Sequence, residues 1–302
     1  MIQSPLNYTG GKYKLLPQIL PFFPHKINKF VDLFCGGCNV GINVNANLYI
    51  YNDSCCSLIN LYSVMQRIGC EEFINGLESV ITRYNLSDVK TKGYNFYGCN
   101  SSDGLSKYNR EYYIKLRRDV NKSTIYNDEY YIKLYALIVY AFNNQIRFNK
   151  NGEFNLPPGK RDFNQKMYDK LVKFLNKLHS QNAKFYNFDF NALDLSYLNE
   201  KDFVYADPPY LITCASYNEK GGWTKQNECD LLKLLDSLSE RNIKFALSNV
   251  IESKGKTNEI LSDWIMSKQN YRMIDLKYTY KNANYHRQNK ESKTREILII
   301  NY

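Results

Sequence analysis

Three times in this chain a short run of strand-forming residues closes on a carboxylate. The runs are Lys29-Phe30-Val31-Asp32, Leu48-Tyr49-Ile50-Tyr51-Asn52-Asp53 and Asp202-Phe203-Val204-Tyr205-Ala206-Asp207. Between the first two lie the glycine-bearing stretch Cys35-Gly36-Gly37-Cys38-Asn39-Val40-Gly41 and a mixed apolar run, Ile42 to Leu48, that reads as a helix. A connection of that kind suits a right-handed crossover between adjacent parallel strands. Further strand signals follow at Phe245–Leu247, Met273–Leu276 and Ile297–Ile300, with helical periodicity over Cys229–Leu238 and Glu259–Met266. The pattern predicts an open α/β sheet with its chemistry at the carboxyl ends of the strands.

The middle of the chain breaks this alternation. Lys115–Asp119, Tyr130–Phe142 and Gln165–Leu178 read as helices, and the Asn151-Gly152 pair between short alternating stretches predicts a hairpin. Residues 140–184 carry nine Lys/Arg against three Asp/Glu, a bias that fits a DNA-contacting insertion better than a second enzyme core. We therefore expect an inserted recognition domain over 61–179, with 1–60 and 180–302 forming the sheet domain. The 302 residues suffice for such a core plus a smaller domain. The whole-chain balance, forty Lys+Arg against thirty Asp+Glu, fits a polyanionic partner without identifying one. No apolar run reaches the ~18 residues a membrane span requires, and residues 1–15 lack a signal-peptide core, so the expectation is a cytoplasmic protein without membrane association. Eight cysteines without regular spacing point to free thiols in a reducing compartment. Cys35 and Cys38 have a spacing open to redox or metal chemistry. A zinc site needs two more ligands, however, and His25, His179 and His286 are not spaced to supply them. No metal is expected.

The sharpest chemical signal is Asp207-Pro208-Pro209-Tyr210. It follows a strand, and the two prolines fix an extended turn. Pro209 has no N–H, so the Pro208 carbonyl can face a ligand beside the Asp207 carboxylate, with Tyr210 supplying an aromatic face. Two acceptors under a stacking platform suit a planar ring bearing an exocyclic amine. Hydrogen bonds accepted from both N–H groups favour sp³-like nitrogen and expose its lone pair to an electrophile. Charge develops on that nitrogen during attack, so the acceptors favour the transition state. No cysteine or serine beside a base stands in this motif, which predicts direct transfer without a covalent enzyme intermediate.

The glycine loop after Asp32 lacks full dinucleotide spacing, and no Gly-Lys-Ser/Thr follows it, which disfavours nucleoside triphosphate hydrolysis. Asp53, about twenty residues on at the next strand end, is placed to accept from both ribose hydroxyls of an adenosine cofactor. The short loop also suits a cofactor whose tail is an amino acid. Upstream, Tyr8-Thr9-Gly10-Gly11-Lys12 could close over a ligand's carboxylate and adenine, or Lys12 could meet phosphate.

Together these residues resemble the Dam-type family of DNA adenine-N6 methyltransferases. The similarity runs through Tyr8–Lys12, Asp32–Gly37, Asp53, the 142–161 hairpin, Asp189, Asp207–Tyr210 and the tail Ser292–Tyr302. The resemblance implies an open, mostly parallel Rossmann-like sheet with a largely helical DNA-recognition insertion. It implies S-adenosylmethionine as methyl donor, S-adenosylhomocysteine as product, and a target adenine flipped out of double-stranded DNA. Tyr8, Lys12, Asp32, Phe34, Gly36, Asp53, Asp189 and Asp207 are the implied cofactor contacts, with Cys38 standing where the family has a final loop glycine. Asn143, Arg147 and Pro157 match the family's DNA-facing residues, Gln145 stands beside them, and the basic Lys150, Lys160 and Arg161 are candidates for contacts to the DNA backbone. Arg147 suits a guanine edge through paired donation to O6 and N7, and Gln145 an adenine edge or a phosphate. Asn144-Gln145 replaces the Gly-Leu of GATC-type enzymes, which argues against GATC as target. Tyr217 would close the base pocket or is an ordinary surface tyrosine. A restriction-modification role would add a cognate endonuclease as partner. The rival readings are a cytosine-N4 DNA methyltransferase and a glutamine-N5 protein methyltransferase; Asp207 in place of Asn or Ser favours adenine, and the basic insertion favours nucleic acid.

Overall fold

The computed structural model describes residues 1–213, 222–277 and 294–302, divided between two compact units. One unit comprises Met1–Gly11, Gly36–Asn43 and Cys55–Phe185 and is mainly helical. Its longer helices are α1 (Cys56–Arg67), α2 (Cys70–Arg83), α3 (Ser106–Asn121), α4 (Asp128–Tyr140) and α5 (Gln165–His179). Helix α4 is the axis of this unit: ten of its residues, from Tyr130 to Tyr140, are buried as α1, α2 and α3 pack around it. It starts where Asn127 accepts from the Tyr130 N–H at 3.0 Å, with Asp128 and Glu129 in the first turn facing the positive end of the helix dipole. Helix α5 buries Met167, Leu171, Phe174, Leu175 and Leu178, one stripe at three- and four-residue spacing.

The expected hairpin is present as two antiparallel bridges, Phe148 with Phe154 and Ala141 with Pro158, rather than as a strand ladder. Gly152 takes φ +77°, and its N–H donates to Asn149 O at 3.0 Å to close the turn. Gly159 is required at the base: a Cβ there would stand 2.3 Å from the Ala141 carbonyl oxygen, so only glycine lets the two backbones meet.

The second unit comprises Lys12–Cys35, Val44–Ser54 and Tyr186–Tyr302 and holds the sheet. Its strands are β1 (Lys29–Asp32), β2 (Leu48–Asn52), β3 (Ala183–Tyr186, entering the unit at Tyr186), β4 (Phe203–Ala206), β5 (Lys244–Ser253), β6 (Lys256–Thr257), β7 (Arg272–Leu276) and β8 (Arg295–Ile300). The order is β3-β2-β1-β4-β5-β8-β7, with β6 folded back on β5. Strands β2, β1, β4 and β5 are parallel, whereas β8 runs antiparallel to both β5 and β7. The expected open, mostly parallel sheet is what forms.

Side-chain alternation gives this sheet two different faces. Val31, Ile50, Val204, Phe245, Ile297 and Ile299 form a largely aliphatic face that packs with Leu231, Leu235 and Leu238 of α6 (Lys225–Glu240) and Leu261 of α7 (Glu259–Met266). Phe30, Tyr49, Tyr51, Phe203 and Tyr205 face the other way and form an aromatic layer with Phe23.

One expectation is corrected. The run from Ile42 to Leu48 forms no α-helix, only a three-residue 3₁₀ turn at Gly41–Asn43. Asparagine is the reason: the Asn43 side chain accepts from Ile2 N–H at 2.7 Å and donates to the Ile2 and Asn39 carbonyls. Such side-chain bonds offer the backbone an alternative to the helical ladder. Strands β1 and β2 are nevertheless parallel and adjacent.

Candidate active site

Because β2, β1 and β4 are parallel neighbours, Asp32, Asp53 and Asp207 reach the same sheet edge. The Asp53 N–H donates to Tyr186 O at 3.2 Å and its carbonyl accepts from the Asn187 amide at 2.8 Å, which fixes the backbone where the acid emerges. Asn52, a residue the sequence did not single out, staples this edge. Its amide donates to the Leu33 and Phe188 carbonyls, each at 3.1 Å, and its carbonyl accepts from Phe188 N–H. Phe34 packs against Phe190 and Trp223 at centroid separations of 5.4 and 5.7 Å. Asp189 is exposed and accepts from Asn191 N–H in a tight turn.

Asp207 follows β4 directly, and Pro208 behind it is buried. The Lys12 ammonium lies 2.8 Å from Asp207 Oδ2, 3.5 Å from Glu296 Oε1 and 5.0 Å from the centre of the Tyr210 ring. The Tyr210 hydroxyl is within hydrogen-bond distance of Asp207 Oδ1, at 3.0 Å, and of Glu296 Oε1, at 3.1 Å. Lys12 is therefore buried at 3% exposure, set against carboxylates of this chain. Burial raises the affinity of Asp207 for its proton, opposed by the charge and hydrogen bond of Lys12 and by the Tyr210 hydroxyl. Burial likewise pushes Glu296 up, against the pull of Lys12 and with the added push of Asp207. The Tyr210 phenol is held firmly protonated by burial and the two neighbouring carboxylates. Glu296 was not foreseen. It lies 86 residues from Tyr210, within the Ser292–Tyr302 tail, in which the sequence singled out no site residue.

In the helical unit the half-buried Tyr8 ring lies over the glycine loop. A Cβ on Gly36, itself at φ +44°, would approach two Tyr8 ring carbons to 2.9 Å. Cys38 sits buried at φ +54°, so the place of the family's last loop glycine still requires left-handed backbone. Cys35 and Cys38 are both buried. Among the described residues no group of three or more His, Cys, Asp or Glu could hold a metal, and no helix is long and apolar enough to cross a membrane.

The DNA-facing candidates of the same unit gather around the hairpin. Arg147 is half-buried, and its Nε donates to the Asn155 side chain at 2.8 Å, which fixes the guanidinium plane. Asn143 has φ +57°, and its carbonyl accepts from the Asn7 amide at 2.9 Å, an anchor that sequence reading missed. Gln145 is half-buried, while Lys150, Pro157 and Lys160 are exposed; the Pro157 carbonyl accepts from Phe142 N–H. Arg161 is exposed but donates to Ser101 O at 3.1 Å and lies 3.4 Å from the Tyr94 hydroxyl. Tyr217 lies outside the described residues.

A sheet carrying Asp-Pro-Pro-Tyr at the end of β4, in a chain matched from residue 8 to residue 290 by the family model, makes this chain a member of the D12 class of N6 adenine-specific DNA methyltransferases. Among curated relatives, the Type II methyltransferase M.FokI of Planomicrobium okeanokoites and the modification methylase StsI of Streptococcus sanguinis are each 40% identical to it. Both alignments cover all of this chain and 43% of the relative. The DNA adenine methylase of Escherichia coli (strain K12) is 28% identical over 81% of this chain and 79% of its own length. The chain thus spans less than half the length of the first two relatives.

Proposed function

We propose that this chain transfers a methyl group from S-adenosylmethionine to N6 of adenine in a short double-stranded DNA target. The observation that carries the reading is the placement of Asp207 and Tyr210 after β4, within reach of Lys12. In this role Asp207 and the Pro208 carbonyl accept from the target amine, and Tyr210 stacks on the ring. A base inside the stack cannot present its amine to the sheet edge, so the adenine is extruded before reaction.

The edge residues fit the expected cofactor. Bound there, S-adenosylmethionine supplies an electrophilic methyl group. Asp53 is positioned at the end of β2 to accept from a ribose, Phe34 offers an aromatic wall, and Asp32 and Asp189 complete the acidic edge. The carboxyl groups of Asp207 and Glu296 beside Lys12 are favourable to a sulfonium nearby. The fit of a glycine loop under Tyr8 supports assigning Tyr8 and Gly36 to the cofactor as well.

The insertion 61–179 is assigned to target recognition, with Arg147 reading a base edge and Asn143, Gln145, Lys150, Pro157, Lys160 and Arg161 around it. The names of the relatives, a Type II methyltransferase and a modification methylase, support a restriction-modification role with a cognate endonuclease.

The test is methylation of unmethylated genomic DNA with labelled S-adenosylmethionine, followed by mapping of modified bases. N6-methyladenine in one short sequence is expected. Label on cytosine, or on protein with none on DNA, would overturn the reading.

A further inference from the structure

We propose that Glu296, at the start of β8, is a positioning residue of the methyl-transfer reaction: by sharing Lys12 and the Tyr210 hydroxyl, it keeps Asp207 available as an acceptor for the target amine. The inference rests on the function proposed above.

Topology brings Glu296 to the catalytic edge. β8 runs antiparallel to β5, so its amino-terminal end lies at the edge where the parallel strands end. Its register partners there, Leu276 on β7 and Val250 on β5, are apolar. The preceding Arg295 pairs with Asp275 at 2.6 Å. Glu296 is 3% exposed, so a carboxylate held there must be compensated by what it touches. Among the described residues, the ionisable groups facing it are Lys12, Asp207, Tyr210 and, through the interior, Tyr205.

Loss of Glu296 would take away one of the two carboxylates set beside Lys12 among the described residues. Lys12, already 2.8 Å from Oδ2, would place more of its charge on Asp207, and the Tyr210 hydroxyl would lose Glu296 Oε1 as an alternative to Oδ1. Asp207 would then be a less basic and more fully occupied acceptor, although the reaction asks it to accept from an amine that gains positive charge. A second carboxylate divides both donors. It also raises the proton affinity of Asp207 by like-charge repulsion.

The test is Glu296→Gln, which keeps the shape and an acceptor oxygen but removes the charge. Wild type and variant are compared on unmethylated genomic DNA with labelled S-adenosylmethionine. The expected result is a kcat about tenfold lower, a KM for S-adenosylmethionine within about twofold of wild type, and an acid limb of kcat displaced to lower pH. The displacement follows in sign because Asp207 loses a like-charged neighbour. Glu296→Asp, which keeps the charge, should retain more activity than the glutamine variant and leave the acid limb in place. An unchanged kcat in Glu296→Gln, a loss with an unmoved acid limb, or an aspartate variant no better than glutamine would overturn the role. Should the glutamine variant fail to fold, the aspartate variant decides alone: a retained acid limb with activity supports the role, and abolished activity in a folded protein rejects it. Failure of the wild type to methylate adenine would instead reject the underlying function.

Discussion

A carboxylate shielded from water is defined by its partners, and Asp207 has Lys12 and Tyr210 at hand. Asp207→Asn keeps an acceptor but loses the charge, so initial-rate methylation should fall at least about 10²-fold, as for removal of one preorganised electrostatic interaction. Lys12→Ala removes the group that holds the Asp207 proton affinity down, leaving burial to push it up. Its pH–rate profile should therefore lose activity on the acid side first, with the acid limb moved to higher pH. An unmoved limb would place Lys12 outside the reaction. Asp162, in the helical unit, offers a stability counterpart. Its Oδ2 accepts from Val89 N–H at 2.8 Å, and its Oδ1 has no hydrogen-bond partner among the described residues. Burial pushes its pKa up to about 6. Its folded value lies above its unfolded one, so its neutral form is favoured in the fold, and stability is lost as pH rises from about 4 to about 6. The melting temperature should decline over that range by a margin that Asp162→Asn abolishes; equal declines would rule it out. Asp207 and Asp53 were legible in sequence because each directly follows its own strand. Glu296 was not, since its relation to Lys12 depends on the direction of β8 in the sheet.

Secondary-structure elements were legible where the chain carries its own instructions. The stripe of α5 and the Asn151-Gly152 turn are local signals, and both produced what they announce. The run 42–48 did not, because the bonds of Asn43 to Ile2 come from the far side of the sequence pattern. The hairpin depends on the close approach at its base more than on strand pairing. Gly159→Ala would drive a methyl group against the Ala141 carbonyl and should lower stability by about 1–3 kcal/mol, the scale of overpacking, as read by chemical denaturation. Wild-type stability in that variant would show that the base opens freely. Arg147 and Lys150, neighbours on the same hairpin, should behave differently. Arg147 has its plane fixed by Asn155, so Arg147→Ala should cost about 1–3 kcal/mol of discrimination at one base pair. Removing the exposed Lys150 should weaken binding evenly across sequences. Equal losses on cognate and mismatched duplexes for Arg147→Ala would make it a phosphate-binding residue.

Charge is unevenly divided over the whole molecule. Residues 55–185 carry twenty Lys/Arg against twelve Asp/Glu, leaving twenty against eighteen for the remainder of the chain. DNA affinity should consequently fall steeply with salt, and neutralising Lys150 and Lys160 should flatten the slope by about one ion for each phosphate no longer paired. Titration of fluorescent duplex at several salt concentrations checks this, and an unaltered slope would remove both from the phosphate-binding set. That imbalance was readable from composition, whereas the two units draw on interleaved segments that no linear boundary expresses. The sheet has a similar order problem in time. β8 lies between β5 and β7, so a strand translated after both becomes their common neighbour. A nascent chain that has left the ribosome through β7 already contains Asp-Pro-Pro-Tyr, yet β8, the strand that pairs with β7, and the Glu296 carboxylate beside Lys12 are still to come. Translation therefore delays the cluster of Lys12, Asp207, Tyr210 and Glu296 until β8 emerges, and a chain cut short before β8 cannot form that arrangement.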